Sequence, residues 1–276
     1  MNLPFLFLIL SISGALAGTL AGLLGVGGGI IFVPVYYYTF TSFLDIAPKD
    51  AIMMATCTSL LTMIPTTISS CLSHYRKGNI DFELLKRWLP LLLLGVISGV
   101  IFARLFGGLW LSVLFGCILM FSSFNMIYLS KQPPLFNSLP PKPVQYIIAF
   151  FVSSVSVMLG IGGGTLTVPI LTLFRYDTKK AIGTASTIGT IICIPGAVTV
   201  IIQELSNKTE PIANAPVLTV GHMVFAAALA VIPFSMMFAP VGVSINKKIS
   251  PAKLKILFSI LLIATGIKML LNGLGI

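Results

Sequence analysis

Two glycine-rich stretches carry the chemistry this chain can offer. Gly25-Val26-Gly27-Gly28-Gly29 runs on to Val33-Pro34, and Gly160-Ile161-Gly162-Gly163-Gly164 runs on to Val168-Pro169. Six of ten aligned positions are identical at an offset of 135. Each glycine costs a helix interior about 1 kcal/mol relative to alanine, so three in a row mark a place where the helix stops. A helix then restarts at Ile30 in one stretch and at Thr165 in the other. The first N–H groups of a helix have no intrahelical acceptor and sit at the positive end of its dipole. Gly27, Gly28, Gly29 and Ile30, with Gly162, Gly163, Gly164 and Thr165, are therefore expected to bind a small anion through backbone amides. Close helix packing through small residues is the alternative, and it is the better account of Gly14, Gly18 and Gly22.

Hydroxyl side chains extend this set. Residues 49–65 align with 179–195 at an offset of 130, which sets Thr56, Cys57, Thr58 and Ser59 against Ser186, Thr187, Ile188 and Gly189, with Thr184 nearby. Thr56, Thr58, Ser59, Thr184, Ser186 and Thr187 are expected to line the site, since hydroxyls donate to an anion while staying neutral in lipid. Bonding to their own helix carbonyls is the competing use. Pro65 and Pro195 occupy matching positions and are expected to act as hinges.

The surrounding elements must be membrane helices. The chain has 276 residues, is 57% hydrophobic and 9% charged, and has a mean hydropathy of +1.04. A soluble domain of that length cannot bury so much apolar surface, whereas spanning helices of about 20 residues use it directly. No charge precedes Asp45. Ala15-Leu16-Ala17 imitates a signal cleavage site, but a basic leader is missing and the counterpart at 146–159 is internal, so this start is read as structure. Helices are expected at about 3–24, 29–42, 50–74, 83–105, 109–130, 144–160, 164–175, 179–203, 218–246 and 252–273. The arm at 164–175 is too short for a core of about 30 Å.

The resulting fold class is an all-α polytopic membrane protein with two inverted-topology repeats. Each repeat is a glycine-broken re-entrant hairpin followed by three transmembrane helices. The first repeat is 1–130 and the second is 143–276. A Pro-rich linker at 131–142 joins them on the cytoplasmic side. With three crossings per half, Arg76, Lys77, Lys86, Arg87, Lys131, Lys142, Arg175, Lys179, Lys180, Lys247, Lys248, Lys253 and Lys255 fall on one side. Only Lys49, Arg104, Lys208 and Lys268 fall on the other. The positive-inside rule makes the first side cytoplasmic and puts both termini outside.

Several function classes drop out. The net charge of +10 lies in short loops, which is topology control rather than a nucleic-acid face. No nucleotide loop is present, since neither glycine run is followed by lysine. The acids Asp45, Asp50, Asp81, Glu83, Asp177, Glu204 and Glu210 fall in or near loops and form no pair, so catalytic residues are not expected. His74 and His222 are too scattered for a metal site, His222 having no carboxylate in sequence reach; neither metal nor cofactor is expected. Cys57, Cys71, Cys117 and Cys193 lie in apolar runs and read as small apolar residues.

The doubled G-x-G-G-G-x-x-x-V-P element, each copy followed by an Ala/Ser/Thr-rich helix ending in Ile-Pro, resembles the sulfite exporter TauE/SafE family over essentially the whole chain. The resemblance implies a multi-pass transporter of the bacterial cytoplasmic (inner) membrane, linked to sulfur-containing or organic anions. On that basis the expected partners are the lipid bilayer and a small anionic solute, a sulfur oxyanion or organosulfonate, moved by alternating access. An importer or carrier of another small organic solute, and a non-transporting membrane scaffold, stand as alternatives.

Overall fold

A computed structural model describes residues 3–128, 135–206, 212–245 and 251–274. The expected linker residues 131–134, together with Lys208, Glu210, Lys247 and Lys248, lie outside the described residues. Nine helices are described: α1 (Leu3–Leu24), α2 (Gly29–Phe43), α3 (Pro48–Tyr75), α4 (Phe82–Ile127), α5 (Lys142–Leu159), α6 (Gly164–Leu173), α7 (Thr178–Ser206), α8 (Phe225–Ile245) and α9 (Pro251–Leu274). Six are long and apolar enough to cross a membrane. The fold is all-α and polytopic, as the composition requires.

Local chemistry sets the boundaries. Pro48 starts α3 at a position where its missing N–H costs nothing. Asp81 caps α4 by accepting from the Leu84 N–H at 3.0 Å. The run 82–127 is two helices merged across Gly107, whose φ of 76° and ψ of 171° interrupt the helix. That break lies between the expected helices 83–105 and 109–130. One boundary differs from expectation. Helix α8 begins at Phe225, not near 218, because Thr219–Val220 and Met223–Val224 form a short antiparallel hairpin, β1–β2. The Val224 N–H is anchored to the Thr58 hydroxyl at 3.0 Å. Apolar composition reads alike in a helix and in a buried hairpin, so the sequence period does not separate them.

Glycines let the helices approach to backbone contact. A Cβ on Gly18 would fall 2.2 Å from the Ser235 carbonyl oxygen, and one on Gly22 would fall 1.9 Å from that of Ala239, so α1 lies parallel to α8. In the same way Gly95 and Gly99 of α4 press on Phe150 and Ser154 of α5. The two seams are alike: Gly99 of α4 meets Ser154, Gly242 of α8 meets Thr19, and Ser154 and Thr19 are matched at the offset of 135. Helices α3 and α7 run antiparallel through the middle, with Ser70 against Ser186 and Thr67 against Gly189. Leu94, Ile97, Leu105, Trp110, Ile147, Phe151 and Met237 are exposed on the outer faces, where lipid tails replace protein contacts.

Candidate functional site

Both glycine stretches open the backbone. Gly25, Gly27 and Gly28 have φ of 70°, 76° and 89°, and Gly160 and Gly162 have 60° and 69°. L side chains avoid that left-handed region, and glycine enters it freely. The helix start at α2 is thus cut off from α1, and that at α6 from α5.

The two breaks lie against each other reciprocally. Gly29 packs so tightly on Gly160 that a Cβ would stand 2.2 Å from its carbonyl oxygen, and Gly164 on Gly25 leaves 1.6 Å. These are matched pairs, 29 with 164 and 25 with 160, so the contact maps onto itself when the halves are exchanged. At the crossing, the Met63 methyl would touch a Cβ on Gly27 at 2.5 Å and one on Gly162 at 2.2 Å. Met63 is fully buried and occupies the space between the two loops. In this conformation a solute cannot sit between Gly27 and Gly162.

The ends of the two first arms lie at different levels of α3. The carbonyls of Ala21 and Gly22 reach Ser70 and His74 in the last turns of α3, at 3.3 and 3.1 Å. Gly160 instead packs on Thr56, in its third turn. At 1.5 Å per residue, α1 is about 33 Å long, α2 about 22 Å and α6 about 15 Å. By length α1 matches a hydrocarbon core of about 30 Å, and the two second arms fall short of it.

The hydroxyls divide by use. Ser59 donates to the Gly160 carbonyl at 2.7 Å and so holds the second break in place. Thr56 donates to its own helix at Met53, 2.9 Å away, while its backbone supports Gly160. Thr58 anchors the hairpin, and Thr184 accepts from the Asp81 N–H at 3.0 Å. Ser186 pairs with Ser70 at 3.1 Å, and Thr187 with Cys71 at 3.3 Å. Of the six expected lining hydroxyls, the structure brings Ser59 and Thr56 to the breaks and uses the rest to join α3, α7 and neighbouring loops. Pro65 and Pro195 sit inside α3 and α7, as expected of the matched helices.

Two buried hydroxyls beside the second break have no hydrogen-bond partner. Thr165, in the first turn of α6, is 3% exposed, and Ser156, four residues before Gly160, is 0% exposed. Leaving a buried hydroxyl unpaired costs about 1–3 kcal/mol. Thr165 was expected from its place after the glycines. Ser156 was missed, although the run Ser153, Ser154 and Ser156 in an otherwise apolar helix was a legible signal. Met63 was missed as well, since nothing in its spacing separates it from an ordinary core methionine.

The loops at the arginine- and lysine-rich end are tied together. Tyr176 donates to the Asp81 carboxylate, and Lys77 donates to the Val243 carbonyl at 2.7 Å. Arg87 and Trp88 both donate to Gln145, at 3.2 and 3.3 Å. Burial pushes the Asp81 carboxyl upward, but hydrogen bonds from Tyr176 and from the backbone N–H groups of Leu84 and Glu83 outweigh it and hold it below the usual value.

A family model described as "Sulfite exporter TauE/SafE" matches residues 10–269 of the chain. A "Probable membrane transporter protein" of Haemophilus influenzae is 30% identical over 271 residues, covering 97% of this chain and all of that protein. A "Probable membrane transporter protein YunE" of Bacillus subtilis is 29% identical over 292 residues, covering 97% of this chain and 98% of its own length. No solved structure matches the chain.

Proposed function

Since the chain belongs to the sulfite exporter TauE/SafE family, we propose that it moves a small anion, a sulfur oxyanion or organosulfonate, across the bacterial inner membrane by alternating access. The family and the relatives make it a multi-pass membrane transporter rather than an enzyme. The substrate reading rests on one observation: two helix starts meet at a reciprocal glycine contact, and the second carries the unpartnered hydroxyl of Thr165. An oxyanion supplies the acceptor that Thr165 and Ser156 lack, and the start of a helix favours one through its first amides. No buried lysine or arginine is needed at the crossing.

In this reading the halves 1–130 and 143–276 are inverted repeats, both termini face outward, and the first arms enter from opposite sides. The parallel seams α1 with α8 and α4 with α5, and the antiparallel pair α3 and α7, support it. Met63 then closes the path in an occluded state, and its withdrawal, with bending at Pro65 and Pro195, opens the breaks to one side at a time. A monoanion leaving a negative cytoplasm gains about 2.3 kcal/mol per 100 mV, which favours export.

The test is flux in proteoliposomes with sulfite, sulfate, thiosulfate and small sulfonates, with and without an imposed potential. Electrogenic movement of at least one anion, weakened in Thr165→Val, is expected. Voltage-insensitive movement of an uncharged solute alone would overturn the reading in favour of another carrier class.

A further inference from the structure

The two ends of the molecule treat matching positions differently. Residues 49–65 and 179–195 align at an offset of 130, and both helices run on, to Tyr75 and to Ser206. Carried along them, the offset matches Thr56 to Ser186 and His74 to Glu204. At the glycine stretches, Val157 is matched to Gly22 at 135. Thr56, Val157 and Glu204 border open space, whereas Ser186, Gly22 and His74 are bonded together.

The open space is a cavity of about 30 Å³, lined by Thr56, Cys57, Leu60, Arg104, Val157 and Glu204, among others. It adjoins the second break, because Thr56 packs on Gly160 and Val157 lies three residues before it. A volume of this size holds about one or two waters. Glu204 reaches His222 of the β1–β2 hairpin at 2.9 Å, a pairing that 18 residues of sequence hid.

At the arginine- and lysine-rich end the matching positions are shut. Ser70 donates to the Ala21 carbonyl at 3.3 Å, in the last turn of α1. One turn further along α3, His74 bonds the Gly22 carbonyl at 3.1 Å. A carbonyl only accepts, so Nε2 carries the proton and Nδ1 is left to accept from the Asn79 amide at 3.4 Å. With the Ser70 proton on Ala21, Ser186 of α7 donates to Ser70 at 3.1 Å. Beside them Gly25 packs on the Ile182 carbonyl and Gly183 on that of Asn79, where Cβ atoms would fall 2.6 and 2.3 Å away.

We propose that Ser70, His74 and Ser186 form the cytoplasmic gate of the transport path, shut here on the end of α1, while the cavity at Cys57 begins the path to the outer side. The proposal rests on the alternating-access reading above and assigns the gate that this reading leaves open. Alternating access requires the two ends to be unlike in any one state, and at these matched positions they are. Pro65 lies five residues before Ser70, so a bend there swings the last turns of α3 away from α1. The same bend parts Ser69 from the Met236 carbonyl, 3.0 Å away. The gate bonds join uncharged groups, whose net strength is modest, so they can break and re-form within a transport cycle.

The full chain in proteoliposomes tests this with Ser70→Cys and Ser186→Cys combined, in a background of Cys57→Ala, Cys71→Ala, Cys117→Ala and Cys193→Ala. Labelled sulfate and methanesulfonate are the probes, since neither attacks a disulfide. Oxidation should join the two thiols and stop flux, and a reductant should restore flux in the same protein. Flux that persists in the cross-linked protein makes the contact a fixed joint; it overturns the gate and leaves the transport reading standing. A second measurement needs no cross-link. Cys71, half-buried against Thr187 at 3.3 Å, is kept as the sole cysteine and labelled with a membrane-impermeant maleimide. His74→Ala should speed labelling from the arginine- and lysine-rich side by about tenfold, the effect of one lost hydrogen bond on a two-state equilibrium. His74→Gln, which keeps a donor, should recover part of that change. An unchanged rate in His74→Ala, or equal speeding from both sides, overturns the gate. A wild type that moves neither anion overturns the transport reading and the gate together.

Discussion

The two glycine breaks share a backbone and differ in what surrounds it. In the first, Gly28 is left-handed and α2 opens with Gly29-Ile30-Ile31-Phe32 before the stacked rings of Tyr36 and Phe40. In the second, Gly163 is right-handed and α6 opens with Gly164-Thr165-Leu166-Thr167, all but Leu166 glycine or hydroxyl-bearing. Ile30 and Thr165 are repeat mates, as are Ala21 and Ser156. The first break is thus apolar and finished, while the second keeps two buried hydroxyls unsatisfied. Met63 of α3 adds to the difference, since its mate in α7 is the smaller Cys193. The same glycine break recurs in both stretches, and side-chain differences leave unpaired hydroxyls at one of them.

The shared part of that comparison breaks first. Gly164→Ala and Gly29→Ala each drive a methyl into the opposing carbonyl, at 1.6 and 2.2 Å. Overpacking costs about 1–3 kcal/mol, and contact with backbone cannot be relieved by a rotamer, so at least the upper value is expected. Both variants should lose most folded, membrane-inserted protein, measured by monodisperse yield and thermal unfolding in detergent. Tolerance of either would mean that the reciprocal contact is not structural.

Met63→Ala comes next. Truncating a buried methionine costs about 2–5 kcal/mol of stability, yet here it also unplugs the crossing. The expected result is a lower melting temperature together with faster or leaking anion flux. A stability loss with unchanged flux would make Met63 plain packing.

Thr165→Val separates the halves more finely. It removes an unpaired hydroxyl at nearly constant shape, so stability should hold or rise slightly while anion affinity falls by about tenfold, the equivalent of about 1.4 kcal/mol. The matched Ile30→Val should cost about 0.5–1.5 kcal/mol of stability for its lost methylene and leave anion affinity unchanged. An equal loss of anion affinity at both positions would erase the asymmetry.

The smallest effect concerns the loops that clamp the second arm. Asp81 is held below its ordinary value of 3.8. A carboxyl depressed on folding adds stability that is present above its unfolded value and lost as pH falls through the folded one. Thermal stability should therefore decline below about pH 4, and Tyr176→Phe should shrink that decline by removing one donor. An identical acid profile in the variant would remove Tyr176 from the clamp.

Much of the architecture was legible because lipid leaves the backbone few choices. Spanning segments must be apolar and helical, so long uncharged runs announce α1, α3, α5, α7 and α8, and the costly glycine runs mark where helices end. The Gly107 break was legible for the same reason. The β1–β2 hairpin was not, since its apolar residues carry no helical or strand period. At the candidate site the glycines and Thr165 followed from spacing. Thr58, Thr184, Ser186 and Thr187 turned out to bond neighbours, because a hydroxyl on a helix is equally able to face a ligand, a carbonyl or another helix.

By itself the sequence determined where helices run, where they break, and that two halves repeat, since these depend on local backbone cost and on the solvent being lipid. Only the tertiary structure decided that the breaks press on each other with Met63 between them, which hydroxyls stay unpaired, and that Glu204 reaches His222 across the chain. Those outcomes depend on which residues distant in sequence share space, and no local preference encodes that.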